Sequence, residues 1–460
     1  MLSLYLHIPF CIRKCHYCSF FVTPEQEVET GKMQALKKSY FNIVQHQIEQ
    51  RNDVFPDEQI RTIYIGGGTP FQLGPELLIQ TIETLLQTRD CTYLEELTIE
   101  LNPDPIEEVL HFVDTCNKKR SHFYRLRRSF GIQSFDDSWL EQSGRGYTFE
   151  QLPDFFRALY NSKQPNVCYN ADFIAFGKNQ SMHTWYNESS LPIKGESKEG
   201  SKSSLFIPRQ EEQRSFFDLL LKSHLLESLS IYTLELFPGS ERYNQQKKEL
   251  KIKNKDRLIS PLTREERRIW DTQTSNYNDS IAEEFHWLSA KAQQHGYRRY
   301  EISNFALPGK RSIHNTTYRT MQSYLWLGIH ASSMLTRQTL EGSGTLPTLL
   351  VEKKQKDILG IRFQSPQQRK KVEAQQIIEE GSLIPLNERE RLTEELMLKL
   401  RTDQRITNRG RYTSVMEKNR KKLLNDRVSN EYIIEDEQWW QMTDAGRNVA
   451  NTLITDLLRF

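Results

Sequence analysis

Three cysteines stand close together near the start of the chain, at Cys11, Cys15 and Cys18. They follow an apolar run, Leu2–Ile8, which is predicted to be the first strand of the fold. The thiols therefore fall on the loop after a strand, where proteins built from alternating strands and helices keep their reactive groups. Three thiolates in so short a loop can converge on one metal centre.

Two kinds of metal centre fit this pattern. A structural zinc ion takes four protein ligands, and His7 and His16 are near enough in sequence to supply the missing one. An iron–sulfur cluster of the four-iron type takes one ligand for each iron. Three cysteines would then leave one iron open to a small molecule, so the spacing alone leaves both alternatives open.

Glycine and polar residues occur at the ends of the next predicted strands. A glycine run, Gly66 to Gly68, lets backbone groups approach a ligand without hindrance from a Cβ atom, and Thr69 follows it. Taken singly, each of the other polar residues is more often an ordinary structural residue. Because the carboxyl ends of parallel strands meet at one mouth, we expect them to lie together. They are Glu100, Gln133, Arg145 and Asp172.

The first half of the chain alternates short β-rich runs with helix-length amphipathic segments, which predicts a repeated strand–helix unit and a parallel sheet. Such a repeat forms an open doubly wound sheet or a closed or partial barrel, and six strands favour the partial barrel. The predicted strands are Leu2–Ile8, Arg61–Gly66, Glu96–Leu101, Arg127–Ile132, Asn170–Ala175 and Ser228–Leu234. The predicted helices are Lys32–Gln50, Pro75–Gln87, Pro105–Lys118, Phe149–Asn161 and Gln210–Leu226.

Composition divides the chain into four regions. Residues 1–240 form the predicted barrel, with a Ser-, Lys- and Gly-rich flexible insertion near 187–214. Residues 241–337 are expected to be a helical and loop extension covering the barrel. A charged, weakly periodic linker at 338–380 leads to a small helical C-terminal domain at 381–460. Two amphipathic segments, Leu392–Leu400 and Met442–Leu458, support that last prediction.

Bulk properties exclude several classes of protein. The 62 basic and 60 acidic residues give a net charge of +2, which goes against a nucleic-acid-binding protein. No apolar run approaches the length of a membrane-spanning helix, and the N-terminus lacks the features of a signal peptide. We expect a cytoplasmic protein, at most peripheral at a membrane. The scattered Cys91, Cys116 and Cys168 are expected to be core residues.

The spacing of the three cysteines, with Tyr17 directly before the last, resembles the signature of the radical S-adenosylmethionine (SAM) superfamily. The glycine run resembles the loop that grips the amino group of SAM. The order of all the motifs is similar to that in the HemN/HemW group of this superfamily. The matching blocks are His7 to Cys11, Gly66 to Pro70, Glu100 to Pro103, Phe130 to Asp136, Gly144 to Thr148, Tyr300 to Ala306 and His314 to Tyr318.

This resemblance implies an α/β fold, a partial (β/α)6 radical SAM barrel with a small C-terminal helical, winged-helix-like domain. It implies a [4Fe–4S] cluster on Cys11, Cys15 and Cys18, with SAM at the open iron. It assigns no catalytic residue. The residues implied at the SAM site are Tyr17, Gly67, Gly68, Thr69, Glu100, Gln133, Arg145 and Asp172.

Two functions occur in the HemN/HemW group. Its coproporphyrinogen III oxidases carry a further cysteine two residues after the third, and a long N-terminal extension. This chain has Phe20 at that position and only ten residues before Cys11, so it resembles the HemW-like heme chaperones. The resemblance implies heme as cargo, apo-hemoproteins such as those of the respiratory chain as recipients, and a small electron-donor protein. It makes His314 the candidate heme ligand, the alternative being an ordinary core histidine.

The sequence departs from the group's pattern at three places. The loop 176–180 and the block 326–333 differ from the usual sequences, and Phe237 stands where the group has a glutamate. Coproporphyrinogen oxidase activity is not expected. That oxidase activity nevertheless remains the first alternative, and a heme carrier with a purely structural or sensing cluster is the second.

Overall fold

The computed structural model describes residues 1–29, 31–54, 58–119, 124–176, 209–237, 240–249, 264–329, 331–342, 358–364, 382–407, 429–435 and 438–458. The predicted insertion therefore lies outside the described residues from 187 to 208. Of the predicted linker, only residues 338–342 and 358–364 are described. The loop 177–180 also lies outside the described residues.

Six parallel strands form the centre of the main sheet, as the sequence predicts. They lie side by side in the order β1, β4, β5, β6, β7 and β8. Their core-facing residues are Leu, Ile, Val and Phe, and these side chains form one large buried cluster. The strands are β1 (Leu2–Ile8), β4 (Ile60–Gly67), β5 (Glu96–Leu101), β6 (Arg125–Gln133), β7 (Val167–Ala175) and β8 (Leu226–Thr233). The short β2 (Phe10–Cys11) and β3 (Thr23–Pro24) pair with each other beyond the end of β1.

Helices connect these strands and cover the sheet. Each of the five predicted helices is present with bounds that differ by a few residues. The described α-helices up to residue 300 are Met33–Val54, Pro75–Thr88, Ile106–Lys119, Asp137–Gln142, Leu152–Asn161, Arg209–Lys222, Glu241–Glu249 and Arg264–Gln294. Three single-turn helices are Glu25–Glu27, Pro70–Leu73 and Phe149–Gln151.

The sheet continues past both ends of the six-strand unit, which the sequence did not predict. Next to β1 lies the parallel β11 (Tyr324–Gly328), followed by three antiparallel strands. Next to β8 lie β10 (Asn304–Ala306) and β9 (Arg298–Arg299). The three added antiparallel strands are β12 (Ser332–Thr336), β13 (Ile358–Gln364) and β14 (Ser382–Asn387). The regions expected to be a covering extension and an irregular linker thus both contribute strands to the main sheet.

The C-terminal region has a core of its own. Helix Glu388–Lys399 starts at a capping box formed by Asn387 and Glu390. Its Leu392 and Leu396 pack with Trp440 and Leu453. Beside it lies a three-stranded antiparallel sheet of β15 (Ile406–Thr407), β17 (Trp439–Met442) and β16 (Ile433–Glu435), with helices Ser429–Tyr432, Asp444–Asn448 and Ala450–Leu457. Helix Ile313–Arg319 precedes β11 in the chain, and helix Arg337–Gly342 follows β12.

No helix within the described residues is both long enough and apolar enough to span a bilayer.

Candidate functional site

The three clustered cysteines lie on a loop at the carboxyl end of β1. The Thr23 backbone N–H donates to the Pro9 carbonyl at 2.6 Å, so the two ends of the loop are held together. Within the loop, the Cys18 N–H donates to the Cys15 carbonyl at 2.9 Å. All three thiols are free and partly exposed. The loop therefore presents them at the mouth of the barrel.

The thiols of Cys11 and Cys18 are poorly suited to carry charge on their own. Burial raises the pKa of Cys11 to about 12, although a contact with Thr69 opposes the rise. Burial also raises the pKa of Cys18, and Cys15 adds to both shifts because a second thiolate repels the first. Thiolates in such a place are stabilised by a bound metal cation, which compensates their charge. The donor set thus fits a metal centre.

The glycine run after β4 packs directly on the cysteine loop. The Gly68 N–H donates to the Ile8 carbonyl at 2.7 Å, and the Thr69 N–H donates to the Phe10 carbonyl at 2.8 Å. A Cβ atom on Gly68 would lie 2.7 Å from the Phe10 oxygen and 3.0 Å from the Cys11 sulfur. Only glycine permits this approach, so the run sets the distance between the second strand and the thiols.

The geometry gives the zinc alternative no support. In the part of the chain that the structure describes, no three Cys, His, Asp or Glu side chains converge as a single ion requires. His7 is engaged elsewhere, with Nδ1 3.2 Å from the Tyr5 hydroxyl and Nε2 3.3 Å from the Phe21 carbonyl. In a four-iron cluster each thiolate binds a different iron. The cysteine loop supplies one thiol for each of three irons.

Glu100 links the glycine run to the barrel interior. Its carboxylate accepts hydrogen bonds from the Tyr64 hydroxyl at 2.5 Å and from the Gly67 N–H at 3.0 Å. Desolvation inside the barrel raises the pKa of Glu100 to about 7. The Tyr64 hydrogen bond opposes this rise, whereas the nearby Asp172 carboxylate adds to the rise. Near neutral pH this carboxyl group can therefore exist in either protonation state.

A chain of hydrogen bonds connects Tyr17, Arg145 and Thr69. Arg145 donates from one terminal nitrogen to the Tyr17 hydroxyl and from the other to the Asn102 side-chain oxygen, each at 2.8 Å. The Asn102 amide in turn donates to the Thr69 hydroxyl at 2.9 Å. The structure thus brings three predicted site residues together through Asn102. The sequence interpretation did not include Asn102 in the site, although its Glu-x-Asn-Pro block was the available signal.

Gln133 and Asp172 complete the mouth. Gln133 has a left-handed backbone with φ of 66°, and a Cβ atom on the neighbouring Gly131 would lie 2.8 Å from both the Gln133 amide and the Asn102 oxygen. The Asp172 carboxylate accepts from Asn170 at 2.8 Å and from Ser129 at 3.2 Å. Burial raises the pKa of Asp172. Beside Gln133 opens a cavity of about 410 Å³, lined mainly by aromatic residues and carboxylates.

His314, the candidate heme ligand, lies in the core near the amino end of the sheet. The side chain is fully buried, with Nδ1 2.7 Å from the Thr62 hydroxyl and Nε2 2.7 Å from the Tyr318 hydroxyl. Burial lowers the pKa of His314 to about 3, with a smaller contribution from Arg127. Thr62 lies near the amino end of β4, away from the cysteine loop at its carboxyl end. His314 therefore lies in the core with both ring nitrogens engaged, and its role as a heme ligand stays a prediction.

Two of the three scattered cysteines are less exposed than the clustered three. Cys116 and Cys168 are buried, and Cys91 is partly buried against the main core.

Replacing Glu100 by glutamine should stabilise the folded apoprotein at high pH. The folded pKa of about 7 exceeds the ordinary value for glutamate, so the folded state binds more protons and stability falls as pH rises between about 4.5 and 7. A neutral amide at this position would avoid the penalty. We expect the apoprotein with Glu100→Gln to gain about 1–3 kcal/mol at pH 8 and little at pH 5, as measured by urea unfolding.

The matched control for this change is Glu107→Gln, which alters an exposed carboxylate on helix Ile106–Lys119. Its effect on stability should stay within about 0.5 kcal/mol at both pH values. Equal stability of wild type and Glu100→Gln at pH 8 would contradict the raised pKa of Glu100.

Comparisons with known proteins agree with this geometry. Residues 5–187 match the model of the radical SAM superfamily. The chain is 27% identical over 334 residues to heme chaperone HemW of Lactococcus lactis, covering 72% of this chain and 69% of that protein. Heme chaperone HemW of Bacillus subtilis is 28% identical over 335 residues, 72% of this chain and 70% of that protein. Heme chaperone HemW of Haemophilus influenzae is 23% identical, with 98% of this chain and 97% of that protein covered.

A solved structure shares the fold. Coproporphyrinogen III oxidase (HemN) from Escherichia coli, described as a radical SAM enzyme, superposes with a TM-score of 0.63 over 100% of this chain and 90% of that one, at 17% identity. The matching domain, the relatives and the partly open sheet with three cysteines at its mouth lead to one conclusion. Residues 5–187 are a radical SAM domain, and the chain is similar to the group that contains HemN and HemW.

Proposed function

We propose that this protein is a heme chaperone of the HemW type, which binds heme and delivers it to apoproteins. The observation that carries the proposal is the residue two positions after Cys18. The resemblance to the oxidases requires a further cysteine there, and this chain has Phe20, whose side chain is 65% exposed. The relatives named above as heme chaperones support the same branch.

The match of residues 5–187 to the radical SAM superfamily implies a [4Fe–4S] cluster and SAM. In our proposal Cys11, Cys15 and Cys18 hold three irons, and SAM binds the fourth. Such a cluster, when bound, supplies one electron for reductive cleavage of SAM. The chain's own residues position SAM: Gly67 and Gly68 let the turn after β4 pack closely on the cysteine loop, and Glu100 and Asp172 offer carboxylates beside it.

The chain formed by Tyr17, Arg145, Asn102 and Thr69 has a separate task in this proposal. It ties the cysteine loop to the ends of β4 and β5 through three hydrogen bonds. Gln133 borders the same group through Gly131. A mouth fixed in this way holds SAM in one orientation relative to the cluster.

Our proposal also includes partners and a location. The recipients are apo-hemoproteins, with respiratory proteins as the first to test, and a small protein donates the electron. The protein works in the cytoplasm, in keeping with the expectation drawn from its sequence.

One parallel assay tests the proposed function. The protein is reconstituted anaerobically with iron and sulfide, then supplied with SAM and dithionite. We expect no protoporphyrinogen IX to form from coproporphyrinogen III, because Phe20 replaces the cysteine of the oxidases. Hemin added to a second portion should bind at about one equivalent, as measured by its Soret band. Robust decarboxylation of coproporphyrinogen without heme binding would favour the oxidase alternative.

A third portion distinguishes the two chaperone alternatives. If 5′-deoxyadenosine accumulates with SAM and reductant, the cluster is chemically active. If heme transfer to an apoprotein such as apomyoglobin depends on the cluster but no 5′-deoxyadenosine forms, the cluster is structural or sensing.

A further inference from the structure

We propose that heme docks at the barrel mouth beside the cysteine loop, with the imidazole of His16 as an axial ligand to its iron. This inference rests on the proposed function, because it names where on the chain the heme cargo binds. It replaces the role that the sequence interpretation gave to His314, which the structure places in the core.

The described histidines differ in whether iron could reach them. His7 and His314 are buried and use both ring nitrogens. His295 pairs with Asp218, and His224 contacts the His295 carbonyl. Three exposed histidines lie on outer helices: His46, His111 and His286. Of the histidines that the structure describes, His16 is the one that combines exposure with a place on the cysteine loop.

The surroundings of His16 suit a metal-binding imidazole. Its side chain is 43% exposed, and Nε2 lies 3.6 Å from the nearer Glu241 oxygen, too far for a hydrogen bond. Its backbone is fixed, because the Arg242 N–H donates to the His16 carbonyl at 3.0 Å. Ligating histidines usually donate the second ring N–H to a carboxylate, which strengthens the ligand. A small turn of the ring would give Glu241 that role and leave the other nitrogen for iron.

Exposed aromatic residues flank this imidazole in the chain. Phe20 lies four residues after His16 and is 65% exposed. Phe237 is 48% exposed. Its carbonyl accepts a hydrogen bond at 3.1 Å from the N–H of Ser240, the residue directly before Glu241. The HemN/HemW pattern has a glutamate at that position, so this chain exchanges a charge for an aromatic ring. Both rings are free to stack on a flat apolar ligand held by His16.

Charge at the same loop completes the chemistry of heme. Arg13 and Lys14 immediately precede Cys15, and the Arg13 side chain is 38% exposed, with its nearest carboxylate, Asp104, at 3.9 Å. A heme molecule has an iron that prefers imidazole, a flat apolar ring and two anionic propionates. The cysteine loop and the adjoining turn offer a group for each of these. Because His16 follows Cys15 directly, heme bound there would lie against the cluster loop.

The test compares His16→Ala with His46→Ala in the full, cluster-reconstituted chain. His46 is a matched control, because it is 61% exposed, lies 3.9 Å from the Glu49 carboxylate and sits on an outer helix. Hemin is titrated anaerobically, and the Soret band and the electron paramagnetic resonance spectrum of the ferric heme are recorded. We expect His16→Ala to weaken heme binding at least tenfold and to lose the imidazole-ligated spectrum. His46→Ala should behave as wild type.

Two further variants keep the outcome decisive. Added imidazole should restore the imidazole-ligated spectrum of His16→Gly, which a merely structural role for His16 would not allow. Phe20→Ala should weaken binding several-fold without changing the ligand spectrum. Iron and sulfide content is measured for each variant, so that loss of the cluster is seen directly.

The outcomes separate the inference from the proposed function. If neither wild type nor His46→Ala binds heme, the proposed function fails. If wild type binds heme and His16→Ala gives the same affinity and spectrum, the docking site is wrong while the chaperone proposal stands. If His16→Ala loses both cluster and heme, the result with His16→Gly decides. Failure of added imidazole to restore heme ligation in His16→Gly overturns the inference.

Discussion

Replacing any one of Cys11, Cys15 and Cys18 by alanine is expected to remove the iron–sulfur cluster from the protein. A methyl group cannot bind iron, and each thiolate holds its own iron in a four-iron cluster. The other described cysteines cannot take over. Cys116 and Cys168 are buried in the core, and Cys91 packs against it near the amino end of β5. We therefore expect iron and sulfide contents near zero after anaerobic reconstitution.

The control for these variants is Cys91→Ala. Cys91 is partly exposed, like the clustered three, but its sulfur lies only near the Leu85 carbonyl at 3.9 Å. Its removal should leave the full broad visible absorption of the cluster. A complete cluster spectrum in Cys11→Ala, Cys15→Ala or Cys18→Ala would refute the assignment of the metal centre. Loss of the cluster in Cys91→Ala would show that a disturbed core, rather than a missing iron ligand, can prevent reconstitution of the cluster.

The central six strands were predictable because each is a short apolar run bounded by turn residues. β1 and β5 have the predicted bounds, and the others differ at their ends by up to three residues. Ends are harder to predict because pairing with a neighbour can extend a strand beyond its apolar run. β6 begins at Arg125 for this reason, since Arg125 is in register with Glu96 on β5.

The added strands were not predictable from local pattern. β11 is five residues long, and β9 and β10 are shorter. Runs of this length occur by chance in loops, so periodicity carries little information. Their pairing with β1 and β8 depends on contacts between residues about 300 and 70 positions apart, such as Leu4 with Leu325 and Leu229 with Phe305. Only tertiary structure supplies that information.

The site shows the same division between local motifs and distant contacts. Motifs at strand ends predicted Thr69 and Arg145, and the resemblance to the radical SAM signature implied Tyr17. Asn102 connects them, and its Glu-x-Asn-Pro block was the available signal, but one asparagine in a turn is common. For His314 the sequence motif and the observed contacts point in different directions. Its motif suggested a ligand. Its side chain instead contacts Thr62, over 250 residues away, and Tyr318, four residues away, so it is part of the core.

Gly67→Ala is expected to abolish SAM binding, the second large effect that the structure predicts. Gly67 has φ of +116°, a conformation that residues with a Cβ atom rarely adopt. A Cβ atom there would also lie 2.8 Å from the His7 ring and 2.9 Å from the Ile8 carbonyl. His7 cannot move aside without losing its contacts to Tyr5 and Phe21. The turn must shift, and the Gly67 N–H then leaves Glu100.

The sharpest control for this prediction is Gly309→Ala, which has the same kind of backbone but open surroundings. Gly309 has φ of +76°, and a Cβ atom there would meet nothing within 4 Å. Its substitution should cost about 1 kcal/mol of stability through backbone strain alone and leave SAM binding unchanged. SAM affinity is measured by equilibrium dialysis against reconstituted protein of known iron content. Because both variants carry backbone strain, a loss confined to Gly67→Ala would assign the effect to the crowding against His7 and Ile8. Retention of wild-type affinity in Gly67→Ala would mean that this turn does not shape the SAM site.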